Sequence, residues 1–297
     1  MRDTGRIGVG IDFRDKTEVV LHSAARLARA TGAAIDLIHV LQPPPAYDRV
    51  LNLGKAPDVD HAASEARTSL ERMVATNVAL TGIAARAHVY VGVPHVDLPE
   101  RAAELHADLL LVGPSTRHRS GWFGVGRTAG RVARRALCPV LIAKRELAEQ
   151  PRCVVATTDF SEASQPAMAA AAVWAKRWNA ELVLVHVLEP IFHLQGWSAK
   201  IAGEKDVYAV EPTDLEPEWK SIIDGLALSG VCHRHEVVKG ETVEAILEFA
   251  ESAAADLLVV GTHGRSAVAH AVIGSSAEAI LDGAACPVLV VPSAAGA

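Results

Sequence analysis

The chain has 297 residues, half of them apolar and 22% charged, which suits about two soluble globular domains. A formal net charge of −6 argues against non-specific nucleic-acid binding by the whole chain. The opening MRDTGRIGVGIDF has no signal-peptide h-region and no apolar run approaches the ~20 residues of a membrane span, so a cytoplasmic, non-membrane protein is expected.

Short apolar, β-branched runs alternate with helix-length patterns. In chain order the expected strands are RIGVGID (6–12), AIDLIHV (34–40), ARAHVYV (85–91), ADLLLVG (107–113) and PVLIAK (139–144). They continue with CVVATTD (153–159), ELVLVHV (181–187), CHRHEVV (232–238), ADLLVVG (255–261) and PVLVVP (287–292). Helices are expected in EASQPAMAAAAVWAKRWN (162–179), in ETVEAILEFAESAA (241–254) and from near Ser275 in SSAEAILDGA. LQPPPAYDRVLNLGKAPDVD and EPIFHLQGWSAKIAGEKDVYAVEPTD read as proline-bearing loops that follow each second strand. Continuously apolar strands alternating with helices imply a parallel sheet covered on both faces.

The chain is written twice. Asp108, Cys138 and Gly92 recur 148 positions later as Asp256, Cys286 and Gly240. Nearer each start the offset is 147, pairing Asp12 with Asp159 and His39 with His186. One single-residue gap therefore aligns two halves, 1–146 and 151–297, joined at RELAEQPR. The expected architecture is α/β: two doubly wound domains, each with a five-stranded, mainly parallel sheet, flavodoxin- or Rossmann-like.

VVGTHGRSAVAHAVIGSS (259–276) stands out between the fourth strand and the last helix of the second half. Glycine permits close backbone approach or φ > 0. Serines at a helix start offer hydroxyls and N–H groups to an anion. Each glycine alone is explained by a turn or strand end, but their combination with Asp159 ending the first strand is not. The spacing G-x2-G-x9-G-S, with TTDFSEAS and the closing CPVLVVP, resembles the universal stress protein family over essentially the whole chain, as two fused domains. That resemblance implies binding of ATP or AMP, with Mg²⁺ able to arrive with the nucleotide. It implies that Thr158 and Asp159 lie at the ribose and Val187 meets adenine through its backbone. Gly261, His263, Gly264, Arg265, Gly274, Ser275 and Ser276 would surround the phosphates. It also implies pairing of the two domains through their last strands, with a homodimer as a further expectation.

The first half departs from the pattern. Gly113 and Gly126 keep the outer glycines, but Thr116 replaces Gly264 and Arg127 replaces Ser275, followed by Thr128. A β-branched residue is poor where backbone must approach closely. Arg127 either fills the phosphate pocket or grips an anion itself. Trp122 and Phe123 add bulk. Asp12 and Val40 still match the ribose and adenine positions, so the first half is read as an altered site.

Other signals carry less. GVGRTA (124–129) matches G-x-G-x-x-A but does not directly follow a strand. No P-loop or G-x-S-x-G elbow occurs. His233 and His235, with Cys232 and His193, suit a polar row on a strand better than a metal site. Four isolated cysteines read as thiols, Cys138 and Cys286 at strand starts. No acidic residue lies between Asp108 and Glu146, an interval holding eight arginines and lysines that form either a solvated face or an anion-binding surface. Nothing supplies a general base paired to an orienting group, so the chain reads as a nucleotide-binding stress or signalling protein with at most slow ATP hydrolysis. The alternatives are a low-turnover nucleotide-dependent hydrolase or transferase, and a nucleotide-free interaction module.

Overall fold

The structure, a computed structural model, describes residues 5–43, 58–114, 127–190, 211–262 and 273–293. The chain divides into two compact units, Met1–Glu149 and Gln150–Ala297. The first unit runs β1 (Arg6–Gly10), α1 (Thr17–Thr31), β2 (Ala34–Leu41), α2 (Val59–Thr76), β3 (Ala85–Val91), α3 (Pro94–Glu104), β4 (Leu109–Val112), α4 (Arg127–Arg135) and β5 (Val140–Ile142). The second runs β6 (Cys153–Thr157), α5 (Gln165–Trp178), β7 (Glu181–Leu188), α6 (Glu216–Gly225), β8 (His233–Lys239), α7 (Thr242–Ser252), β9 (Leu257–Gly261), α8 (Ser275–Gly283) and β10 (Val288–Val291).

Among the described residues each unit holds five strands, in the order β3-β2-β1-β4-β5 in the first and β8-β7-β6-β9-β10 in the second. The pairings are parallel. Of the two orders compatible with a flavodoxin- or Rossmann-like sheet, this is the Rossmann one. The chain winds outward from the first strand, returns, and winds outward on the other side. Side chains of α1 reach the end of α2: Arg29 donates to the Ala79 carbonyl at 2.7 Å and Asn77 to Glu18 at 3.2 Å. Right-handed crossovers put α1 and α2 on one face and α3 and α4 on the other. Both faces covered, β4 and β10 are buried along their whole length.

The repeated aspartates at 108 and 256 have a structural task. Asp108 accepts from the Arg6 N–H at 2.9 Å, and Asp256 accepts from those of Arg152 at 2.6 Å and Cys153 at 3.2 Å. Each ties the start of the fourth strand to the start of the first. Two helices, α2 and α6, start at the end of, or just after, the segments that read as loops. Asp58, at the end of the first expected loop, caps α2 by accepting from His61 N–H at 2.9 Å, and Val59 and Asp60 already belong to that helix. The second expected loop ends in a short 3₁₀ turn, Pro212–Leu215, which runs into α6. Loop composition masked the helix starts because caps and prolines at a first turn are also turn residues. No helix among the described residues is long and apolar enough to cross a membrane.

Cys153 opens β6 and is buried, Cys286 is buried, Cys138 is half-buried and Cys232 is exposed. Burial pushes the thiols of Cys138 and Cys153 up from about 9 to about 11, helped at Cys153 by Glu181 and Asp256. Only the thiolate is nucleophilic. Iodoacetamide at pH 8 is therefore expected to label Cys232 first, with Cys138 and Cys153 following only as pH climbs toward 11. Between those values the folded thiols keep protons that unfolded ones release, so stability falls as pH rises through that window. Equal labelling rates at pH 8 would contradict this.

Candidate functional site

At the carboxyl end of β6 the chain turns sharply through Thr158, Asp159, Phe160 and Ser161. Phe160 sits at φ 63°, a left-handed conformation that a bulky residue adopts only when its surroundings hold it there. The surroundings do so from several sides. Phe160 N–H donates to Thr158 Oγ1 at 2.9 Å. The Thr158 hydroxyl lies 3.0 Å from that of Ser164, which donates onward to the Ser161 carbonyl at 2.8 Å. Each hydroxyl thus donates once and accepts once. Ser161 N–H and Oγ donate to Asp159 Oδ1 at 3.0 and 2.6 Å, an Asx turn that orients the carboxylate. The Phe160 ring packs between His186, 4.4 Å away, and the buried Trp219, 4.8 Å away edge-on.

Val187 lies on β7, beside β6. Along a strand, backbone polar groups point alternately to either neighbour. The Val185 carbonyl accepts from Thr158 N–H on the β6 side, at 2.9 Å. The Leu188 carbonyl accepts from Gly240 N–H on the β8 side, at 3.1 Å. Val187 therefore directs its N–H and C=O toward β6, at the level where β6 has turned away into the Asp159 corner.

On the other flank of β6, β9 ends at Gly261 and Thr262 follows, 5% exposed. Thr262 N–H donates to the Val291 carbonyl at 3.1 Å, its Oγ1 accepts from Ser293 N–H at 3.2 Å, and its carbonyl accepts from Gly274 N–H at 2.8 Å. One residue thereby joins the ends of β9 and β10 to the start of α8. The N-cap of α8 is Gly274, not a serine, at φ −59° and ψ 148°. Gly274 is thus not required for a left-handed backbone, and an added Cβ would meet only the Thr262 carbonyl, at an ordinary 3.6 Å. Ser275 and Ser276 are the first two helical residues, both exposed, at the positive end of the α8 dipole. Asp159, Val187 and the start of α8 thus share the carboxyl edge of the sheet at the point where the winding reverses.

The first unit repeats part of this. Phe13 has φ 56° and packs 4.7 Å from His39, and Arg14 N–H donates to Asp12 Oδ1 at 3.0 Å. Val40 directs its backbone toward β1 on the same alternation, since the Ile38 carbonyl accepts from Ile11 N–H at 2.9 Å. The differences are chemical. Ile11 stands where Thr158 stands, and Thr17, the counterpart of Ser164, is left with a buried hydroxyl that has no hydrogen-bond partner among the described residues. Pro114 stands where Thr262 stands and has no N–H to donate, and β4 and β5 each end one residue sooner than β9 and β10. Asp12 is 60% exposed and Arg14 Nε lies 3.9 Å from its carboxylate. Arg127 and Thr128 open α4, with Thr128 exposed, and Gly113 follows β4.

His263, Gly264, Arg265, Gly126, Thr116, Trp122, Phe123 and His193 lie outside the described residues, as does the side chain of Arg127. His235, weighed above as a metal candidate, stacks on Trp219 at 4.7 Å, and His233 Nδ1 donates to the Val231 carbonyl at 3.0 Å. Among the described residues no group of three or more His, Cys, Asp and Glu is placed to hold a metal ion. The site residues that sequence reading missed are Ser161, Ser164, Trp219 and Thr262. Ser161 and Ser164 had a signal, since DFSEAS puts hydroxyls two and five residues after the aspartate. Trp219 is far away in sequence and had none.

Two outcomes follow. Ser164→Ala breaks a satisfied relay and should cost about 1–2 kcal/mol, whereas Thr17→Val removes a hydroxyl that already lacks a partner and should be neutral or stabilising. Urea titration of each full-length variant checks this, and equal losses would contradict it. Thr262→Pro, which imports the first unit's residue, should cost about 1–3 kcal/mol by stranding the Val291 carbonyl and the Ser293 N–H. Unchanged stability by the same titration would contradict that role for Thr262.

A family model described as the universal stress protein family matches residues 4–144 and again 151–292. A universal stress protein of Thermus aquaticus is 31% identical over 141 residues, 47% of this chain and 98% of that protein. A universal stress protein of Mycobacterium tuberculosis is 26% identical over 297 residues, 95% of this chain and 94% of the relative. The crystal structure of a universal stress protein from Archaeoglobus fulgidus superposes with a TM-score of 0.72 at 20% identity, covering 97% of this chain and 98% of that one, and so shares its fold. The chain belongs to the universal stress protein family and carries two tandem copies of its domain.

Proposed function

We propose that the second unit binds an adenine nucleotide, ATP or AMP, and that the protein acts in stress sensing or signalling in the cytoplasm rather than as a catalyst. The observation that carries this reading is the shared edge. A half-buried carboxylate, a strand whose backbone N–H and C=O face the gap left by β6, and a helix N-terminus with exposed serines lie on three neighbouring strands. A carboxylate suits a pair of ribose hydroxyls, because charged acceptors make the stronger hydrogen bonds. A backbone donor and acceptor side by side suit the edge of a purine. Exposed N–H groups at a helix start suit phosphate. In this reading Asp159, next to Thr158, takes the ribose and Val187 takes adenine. Gly261, His263, Gly264, Arg265, Gly274, Ser275 and Ser276 surround the phosphates, with Mg²⁺ carried by the nucleotide.

The first unit keeps the Asp12 corner and the Val40 backbone but carries Pro114, Thr116 and Arg127 at the phosphate end. We read it as closed to a triphosphate. Pairing of the two units through their final strands is a further part of the proposal. Hydrogen exchange in PVLIAK and PVLVVP as fast as in loops would count against it.

Calorimetry on the full chain should give about one ATP bound, and Asp159→Ala should weaken it by about 1–3 kcal/mol. Thr116→Gly with Arg127→Ser should raise the stoichiometry to about two if crowding alone closes the first site. Unchanged affinity in a folded Asp159→Ala variant overturns the ribose assignment. Equal ATP occupancy of both units in the unmodified protein overturns the asymmetry.

A further inference from the structure

His39 and His186 occupy matched positions on β2 and β7, and the two units treat them alike. His39 Nδ1 lies 2.7 Å from the Ile11 carbonyl, and His186 Nδ1 lies 2.8 Å from the Thr158 carbonyl. A carbonyl can only accept, so Nδ1 carries the proton in both rings. Each ring also packs on the left-handed phenylalanine of its corner, at 4.7 and 4.4 Å. The carbonyl held belongs to the residue before the aspartate, and the phenylalanine is the residue after it. Each histidine therefore grips the aspartate's corner on both sides.

This grip persists where its neighbours have changed. The Thr158–Ser164 relay is gone from the first unit, where Ile11 and Thr17 take those places. The histidine bond and ring contact remain. A left-handed phenylalanine costs energy wherever it occurs, and the histidine is a restraint on it common to both units. We infer that His39 and His186 are positioning residues, which hold the carboxylates of Asp12 and Asp159 in the direction that recognises vicinal hydroxyls of a ribose. For His186 the inference rests on the nucleotide reading of the second unit.

The test separates positioning from mere packing. Affinities of the full chain for adenosine and 2′-deoxyadenosine are measured, and their ratio is the readout. Losing one well-aimed hydrogen bond to a charged group should collapse that ratio by roughly tenfold in His186→Phe, which keeps a ring but has no donor. His186→Asn, which keeps a donor at a similar reach, should restore most of the ratio. In an Asp159→Ala background His186→Phe should change the ratio no further, because the group it positions is gone. A His186→Phe protein that binds both nucleosides with the unmodified ratio overturns the positioning role and leaves the nucleotide reading standing. An unmodified protein that binds neither nucleoside nor ATP overturns the nucleotide reading, and the role of His186 with it. Should His186→Phe not fold, imidazole ¹⁵N spectra of the unmodified protein decide. Nδ1-protonated rings at both positions are expected, and Nε2–H tautomers would overturn the inference, since an unprotonated Nδ1 would face the carbonyl lone pair.

Discussion

The carboxyl ends of β6 and β9 lie side by side, yet the chain leaves them in opposite directions. From β6 it crosses one face to β7, and from β9 it crosses the other face to β10. Among the described residues no crossover helix bridges the gap between them, the arrangement in which such sheets bind ligands. Asp159, the Val187 backbone and the α8 N-terminus all stand at this point of the sheet's carboxyl edge. Their local devices, the Asx turn, the αL phenylalanine and the Thr262 junction, hold polar groups in place at the edge where the winding reverses.

The two units test which of these devices matter independently. Both keep the strand order, the αL phenylalanine, the histidine under it and the aspartate at its tip. They part at the hydroxyl relay and at the position after the fourth strand, where the second unit has Thr262 and the first has Pro114. A proline there removes a donor from the ladder between the last two strands. An isoleucine at position 11 supplies apolar burial in place of a hydroxyl and strands Thr17. The changes fall at the joints of the site and leave the strand order alone, though β4 and β5 each end one residue sooner than β9 and β10. That pattern fits a first domain whose fold is under the same demands as the second while its ligand chemistry is not.

Much of this was legible in the residues. The β-branched runs marked all ten strands of the described residues, and the duplicated aspartates, histidines and CPV phrases pointed to the two-fold repeat. The helices α2 and α6 were hidden because their starts share prolines and capping residues with the loops before them. Of the two reasons for a glycine at 274, a positive φ and close backbone approach, the first does not apply, since Gly274 caps α8 at φ −59°. The purpose of His186 was invisible to periodicity, which offered only packing. Its partner is a backbone carbonyl 28 positions away, and backbone acceptors leave no trace in sequence. Trp219 was equally hidden, since its contact with Phe160 links α6 to β6 across the fold.

The central claim is that the open edge of the second unit holds an adenine nucleotide. Purified full-length protein, denatured and analysed by mass spectrometry for released small molecules after incubation with ATP and desalting, addresses it most directly. The account predicts about one adenine nucleotide per chain, lost when Asp159 and Ser275 are both replaced by alanine. Protein that releases no adenine nucleotide, or the same amount with and without those two side chains, would contradict it.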